Sequence, residues 1–130
     1  MPYSMKNKVI LYLLITSIFY SCNVSNQPIL KVHNSVYDFA KIDKADSVKG
    51  EFILENIGSG DLVIKNIAPS CNCTITSYEK KSILPGEKKA IGFVYKPSIT
   101  YDTGKVEKEI VIQTNTEMQL HTLKIKGFVN

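Results

Sequence analysis

From Pro28 onward, apolar residues recur at every second position in short runs, and no segment keeps a 3.6-residue period for more than a turn. That alternation fits strands with one face buried and excludes a helical domain. A first extended stretch carries Ile29, Val32, Val36, Tyr37 and Phe39. Phe52 and Leu54 alternate with Glu51 and Glu55; Ile91, Phe93 and Tyr95 alternate further on; Ile110 and Ile112 precede a last run of Leu123, Ile125, Gly127 and Val129. Turn residues separate the runs. Leu84-Pro85-Gly86-Glu87 has Pro and Gly in the central positions of a type II turn, and Asp102-Thr103-Gly104 and Asn115-Thr116-Glu117 supply others. Gly58-Ser59-Gly60-Asp61 stands between the Phe52 run and Leu62, Ile64 and Ile67, and predicts a hairpin between those two strands. About seven strands result, and two sheets packed face to face can bury such a pattern. The expected fold is all-β, a single Ig-like β-sandwich, and the absence of Trp excludes an antibody-type core built on a central Trp.

The 130 residues provide for one modest core. All 16 basic residues are Lys, so the guanidinium fork that reads guanine edges and clamps phosphates is missing, and no nucleic-acid partner is expected. Nothing matches a nucleophile elbow, a zinc-protease helix or a phosphate loop, and an enzyme is not expected. Lys80-Lys81 and Lys88-Lys89 flank the Pro-Gly turn and read as a solvated face.

The N-terminus has a different character. Lys6 and Lys8 precede the apolar run Val9 to Tyr20, which ends at Ser21-Cys22 and gives way to polar residues. This is the layout of a secretory signal peptide, and the run is too short to span a bilayer. A small residue directly before Cys resembles the lipobox of bacterial lipoproteins, although Phe19 and Tyr20 depart from its usual pattern. Residues 1–21 are therefore expected to be a lipoprotein signal peptide. Residues 22–34 hold the lipidated Cys22, a tether and the start of the first strand, and residues 35–130 form the sandwich. Removal of 21 residues leaves 130 − 21 = 109, and loss of Lys6 and Lys8 lowers the formal charge from +4 to +2. The bilayer is thus an expected partner through Cys22, with the domain in the cell envelope on the outer membrane, facing the periplasm. An envelope protein is the other expected partner, engaged through a strand edge or the loop near Cys71 and Cys73.

Three cysteines resolve into that anchor and one pair, Cys71 and Cys73. On a regular strand the two side chains would share a face about 6.6 Å apart, too far for a disulfide, so a bridge requires a bend at Asn72. A local disulfide or a pair of buried thiols that pins the loop, a redox pair, and a soft-metal site for copper(I) or zinc are the three readings of the pair. The metal reading needs His33, His121 or Met118 to converge on the thiols through the fold.

In order along the chain, Phe52-Ile53-Leu54-Glu55-Asn56-Ile57-Gly58, Leu62-Val63-Ile64 and Ala68-Pro69-Ser70-Cys71-Asn72-Cys73-Thr74 resemble the signature of the family called domain of unknown function 1573. The Pro85-Gly86-Glu87 turn, Gly104, Thr114-Asn115 and Leu123-Lys124-Ile125-Lys126-Gly127 extend the likeness over about residues 35 to 130. Asn72 stands where the family usually has Gly. The resemblance implies an Ig-like β-sandwich, common in bacterial lipoproteins, and no established activity.

Overall fold

The computed structural model describes residues 25–130; the expected signal peptide and Cys22 lie outside the described residues. Eight strands and one short helix follow in the order β1 (Leu30–Val32), β2 (Val36–Ile42), β3 (Val48–Asn56), β4 (Ile64–Pro69), β5 (Thr74–Ser77), β6 (Lys88–Tyr95), α1 (Pro97–Thr100), β7 (Gly104–Thr114) and β8 (Leu120–Val129). They form two four-stranded sheets ordered β1-β3-β6-β5 and β2-β8-β7-β4. The expected all-β sandwich is the fold observed.

The alternation puts the core where the sequence indicates. Phe52 and Leu54 of β3 and Ile91, Phe93 and Tyr95 of β6 are buried from one sheet; Ile110 and Ile112 of β7 and Leu123, Ile125 and Val129 of β8 are buried from the other. Tyr37 and Phe93 meet edge to face with ring centroids 5.0 Å apart, a geometry aromatic pairs favour. Gly127 is required by close approach, because a Cβ there would overlap the ring of Phe39. The Pro-Gly turn forms as read, with Gly86 at φ +81° and the Glu87 amide donating to the Leu84 carbonyl at 2.9 Å.

Three details differ from the sequence reading. The hairpin expected between β3 and β4 is absent: β3 pairs with β1 and β6, while β4 pairs with β7 in the opposite sheet. The Gly58-Ser59-Gly60-Asp61 segment therefore carries the chain across the sandwich. The first extended stretch also divides. β1 runs antiparallel to β3, and after His33-Asn34-Ser35 the chain enters the other sheet as β2, parallel to β8. That division raises the count from about seven strands to eight. Finally, α1 forms with Pro97 in its first turn, where a missing N–H costs nothing, and ends at Tyr101 in the left-handed region. Among the described residues, no helix is long and apolar enough to cross a membrane.

The strands define two poles. One gathers residues 25–30 and the loops 57–62, 83–87 and 115–119. The other gathers the loop from Asp43 to Asp46, the β4–β5 link, α1 and the start of β7. The nine residues of β3 run between them, a length of roughly 27 Å at the usual rise per residue.

Candidate functional site

The pole around the β4–β5 link holds the cysteine pair. At Pro69 the chain leaves its ladder with β7, and it crosses to the other sheet at Thr74, which pairs with Tyr95. The crossing is made by a turn in which the Thr74 amide approaches the Cys71 carbonyl at 3.4 Å. This bend removes the one-face geometry of a regular strand. It brings the Cα atoms of Cys71 and Cys73 to 5.2 Å, and the two residues are joined as a disulfide. Asn72 is not among the residues with positive φ, so the turn does not use the left-handed conformation that a Gly here would favour.

The link is held from both sheets. The Ser70 amide donates to the Glu109 carbonyl at 2.8 Å, and the Ser70 hydroxyl accepts from the Glu109 amide at 3.1 Å. The Lys96 amide donates to the Cys73 carbonyl at 2.8 Å. Cys73 is fully buried in the core, whereas Cys71 is half-buried, so only the Cys71 side of the bridge is open to a partner. Both sulfurs lie 3.9 Å from the Thr74 hydroxyl.

Next to the bridge is a polar cluster that sequence reasoning missed. The Tyr95 hydroxyl donates to Asp102 at 2.8 Å, Thr100 donates to the same carboxylate at 2.6 Å, and Lys108 donates at 3.0 Å. Burial, followed by the bond to Asp102, pushes the Tyr95 hydroxyl well above its ordinary range. Burial alone would raise Asp102, but the bonds from Thr100, Lys108 and Tyr95 outweigh it and hold the carboxyl below the usual carboxylate range. The cluster thus joins the Asp102–Lys108 ion pair to two hydroxyl donors. Strand periodicity cannot signal it, because its members come from β6, α1, the following loop and β7.

The other candidate ligands are placed elsewhere. His33 follows β1 and hydrogen-bonds Glu55, which that bond holds below its usual pKa. His121 pairs with Ile112 on β7 and contacts the Thr116 hydroxyl at 3.1 Å; burial lowers its pKa. Met118 is exposed in the β7–β8 loop. His121 and Met118 belong to the pole opposite the bridge, and His33 and Glu55 lie toward that same pole. Among the described residues, no group of three or more His, Cys, Asp or Glu is arranged to hold a metal ion.

At the far pole, Asn56 is a second feature the sequence reading left without a role. It is fully buried at the end of β3, at the inward position that follows Phe52 and Leu54. Its amide donates to the carbonyls of Gly60 at 2.7 Å and Ile83 at 2.9 Å, and its oxygen accepts from the Gly58 amide at 3.0 Å. A polar residue at an inward position just before a Gly-rich loop was the available signal.

The two-sheet arrangement, with strands exchanging between sheets at both poles, defines an Ig-like sandwich with PapD-like neighbours. Among solved structures, a protein of unknown function from Porphyromonas gingivalis W83 superposes with a TM-score of 0.71 at 15% identity, covering 85% of this chain and 50% of that one. The present chain thus spans half of that protein's length. A PapD-like domain of human CEP192 gives 0.60 at 12% identity, over 78% of this chain and 84% of that one. The YadV chaperone gives 0.55 at 14% identity, covering 78% and 51%. No curated protein matches the sequence. The chain belongs to the family described as "Protein of unknown function (DUF1573)", which it matches over residues 30–129.

Proposed function

We propose that this chain is a non-enzymatic binding module of the cell envelope, anchored through a lipidated Cys22 to the outer membrane and facing the periplasm. It would engage a partner protein through the pole that holds the Cys71–Cys73 bridge. The observation that carries the reading is the edge at this pole. Among the described residues β5 pairs with β6 on one side only, begins directly after Cys73, and exposes Ile75. An edge strand offers unpaired backbone groups to a partner strand, and the bridge fixes where that edge begins. Exposed Ile99 and Tyr101 of the same pole add apolar contact surface.

The test is photo-crosslinking in cells with a reactive residue at position 75 or 101, against a control at the exposed position 63 of the opposite pole. A discrete adduct with an envelope protein from 75 or 101, absent from 63, supports the reading. Adducts from all three positions alike, or from none, reject it. The mass of the chain recovered from membranes tests the anchor separately, since a chain starting at Cys22 must carry the added lipid.

A second reading uses the pair chemically, and the half-buried sulfur of Cys71 favours it. An external dithiol would attack that sulfur and pass two electrons to the bridge, leaving Cys71 and Cys73 as thiols. Only in that reduced state could the pair take copper(I) or zinc. Titrating the reduced chain with copper(I) beside the Cys71→Ser, Cys73→Ser variant examines the metal branch, and a bridge that stays oxidised in cells removes both branches.

A further inference from the structure

The anchoring proposed above, combined with where the chain enters the fold, fixes how the domain sits on its membrane. Ser25 lies three residue steps after Cys22, a reach of about 10 Å when fully extended. From Ser25 on, the chain is fastened to one pole. The Ser59 hydroxyl donates to the Ser25 carbonyl at 3.0 Å, and the Ser59 and Gly60 amides donate to the Gln27 carbonyl at 3.0 and 3.1 Å. Gly58 and Gly60 permit this seat, since a Cβ on either would overlap the backbone of residues 26–29. The tether is therefore short and its far end is rigidly attached. A headgroup layer is about 5–8 Å thick, so a lipid on Cys22 brings this pole to the headgroups.

The same pole exposes large apolar side chains: Ile29, Ile57, Leu84, Met118 and Leu120 are 46–67% exposed. We propose that these side chains insert into the interfacial layer of the bilayer, so that the sandwich stands on this pole with the Cys71–Cys73 pole held out into solvent. The acidic Asp61, Glu87 and Glu117 at the same end make the contact apolar rather than electrostatic. Binding therefore has to survive added salt, which screens charge and leaves apolar burial intact. The bridge and the β5 edge would stand roughly 27 Å from the headgroups, the length of β3.

The chain contains no Trp, so single substitutions give unambiguous fluorescent probes. Ile57→Trp and Met118→Trp report the anchor pole and Tyr101→Trp the far pole; all three side chains are exposed, and circular dichroism checks that each variant folds. The lipidated chain is reconstituted into phosphatidylcholine vesicles with and without brominated acyl chains. The expected result is at least about twofold quenching with a blue shift at positions 57 and 118, unchanged by salt, and neither effect at 101. Equal quenching at both poles, or none at 57 and 118, overturns the orientation. A recovered chain whose mass shows no lipid overturns the anchoring instead. In that event Cys22 is coupled in vitro to a maleimide lipid while Cys71 and Cys73 remain oxidised, and the same contrast decides whether this pole meets the bilayer.

Discussion

Replacing Asn56 tests whether one buried amide fastens the anchor pole. In Asn56→Ala, the Gly60 carbonyl and the Gly58 and Ile29 amides lose the partners they have at 2.7, 3.0 and 3.4 Å, while the Ile83 carbonyl keeps the Leu62 amide at 3.0 Å. The buried Gly60 carbonyl is thus orphaned at about 1–2 kcal/mol, the part-buried Gly58 and Ile29 amides add a smaller cost, and the deleted side-chain atoms leave a small void. A loss of about 3 kcal/mol is expected, read as a lower urea midpoint at unchanged slope by far-ultraviolet circular dichroism. Asn56→Asp separates hydrogen bonding from volume, because it sets an oxygen against the Gly60 and Ile83 carbonyls. Burial and those carbonyls raise the folded-state pKa of the introduced acid above the unfolded value of about 3.9. Its destabilisation relative to the natural chain should therefore be least below about pH 4 and grow as pH rises through the folded pKa. An Ala variant that loses less than about 1 kcal/mol, or an Asp variant with no added pH dependence, refutes the role given to Asn56.

Gly58→Ala should push residues 26–29 off their seat, and hydrogen exchange should accelerate at the Ser59 and Gly60 amides while the β3–β6 ladder stays protected. Asp102 contributes stability above the unfolded carboxylate pKa that disappears as pH falls through its depressed folded value; Asp102→Asn should flatten the acid limb of stability, by an amount that shrinks with salt because the site is partly solvated. Reducing the bridge should cost no more than about 1.5 kcal/mol, since so small a loop constrains little chain entropy, and unfolding on reduction alone would contradict this.

Strand identity was readable because each strand has one buried face, and the two-residue alternation of β3, β6, β7 and β8 records that face directly. Strand pairing was not. Gly58-Ser59-Gly60-Asp61 has the composition of a hairpin turn, yet its course is set by contacts distant in sequence: Asn56 reaching Ile83, and Gln27 capping the loop. The split of the first stretch at His33 is equally silent, because β1 and β2 carry similar residues into different sheets. At the cysteine pair, the sequence showed that a bridge needs a bend. The turn at residues 71–74 supplies it from a crossing between sheets, which no local pattern at Asn72 announces. His33, His121 and Met118 were candidates by residue type alone, and type carries no information about which pole a side chain occupies.

The parallel pairing of β2 with β8 has a consequence for how the molecule is made. Val36 pairs with Lys124 and Ile42 with Val129, so one of the earliest described strands finds its neighbour only in β8, more than eighty residues later. A chain that emerges N-terminus first, from a ribosome or a translocation channel, cannot close this sheet until the ten residues of β8 are free. Until then β2 has no partner in its own sheet. Emergence of β8 thus becomes the event that commits the chain to its native state, and a nascent chain stalled before Leu120 stays open to chaperones and proteases.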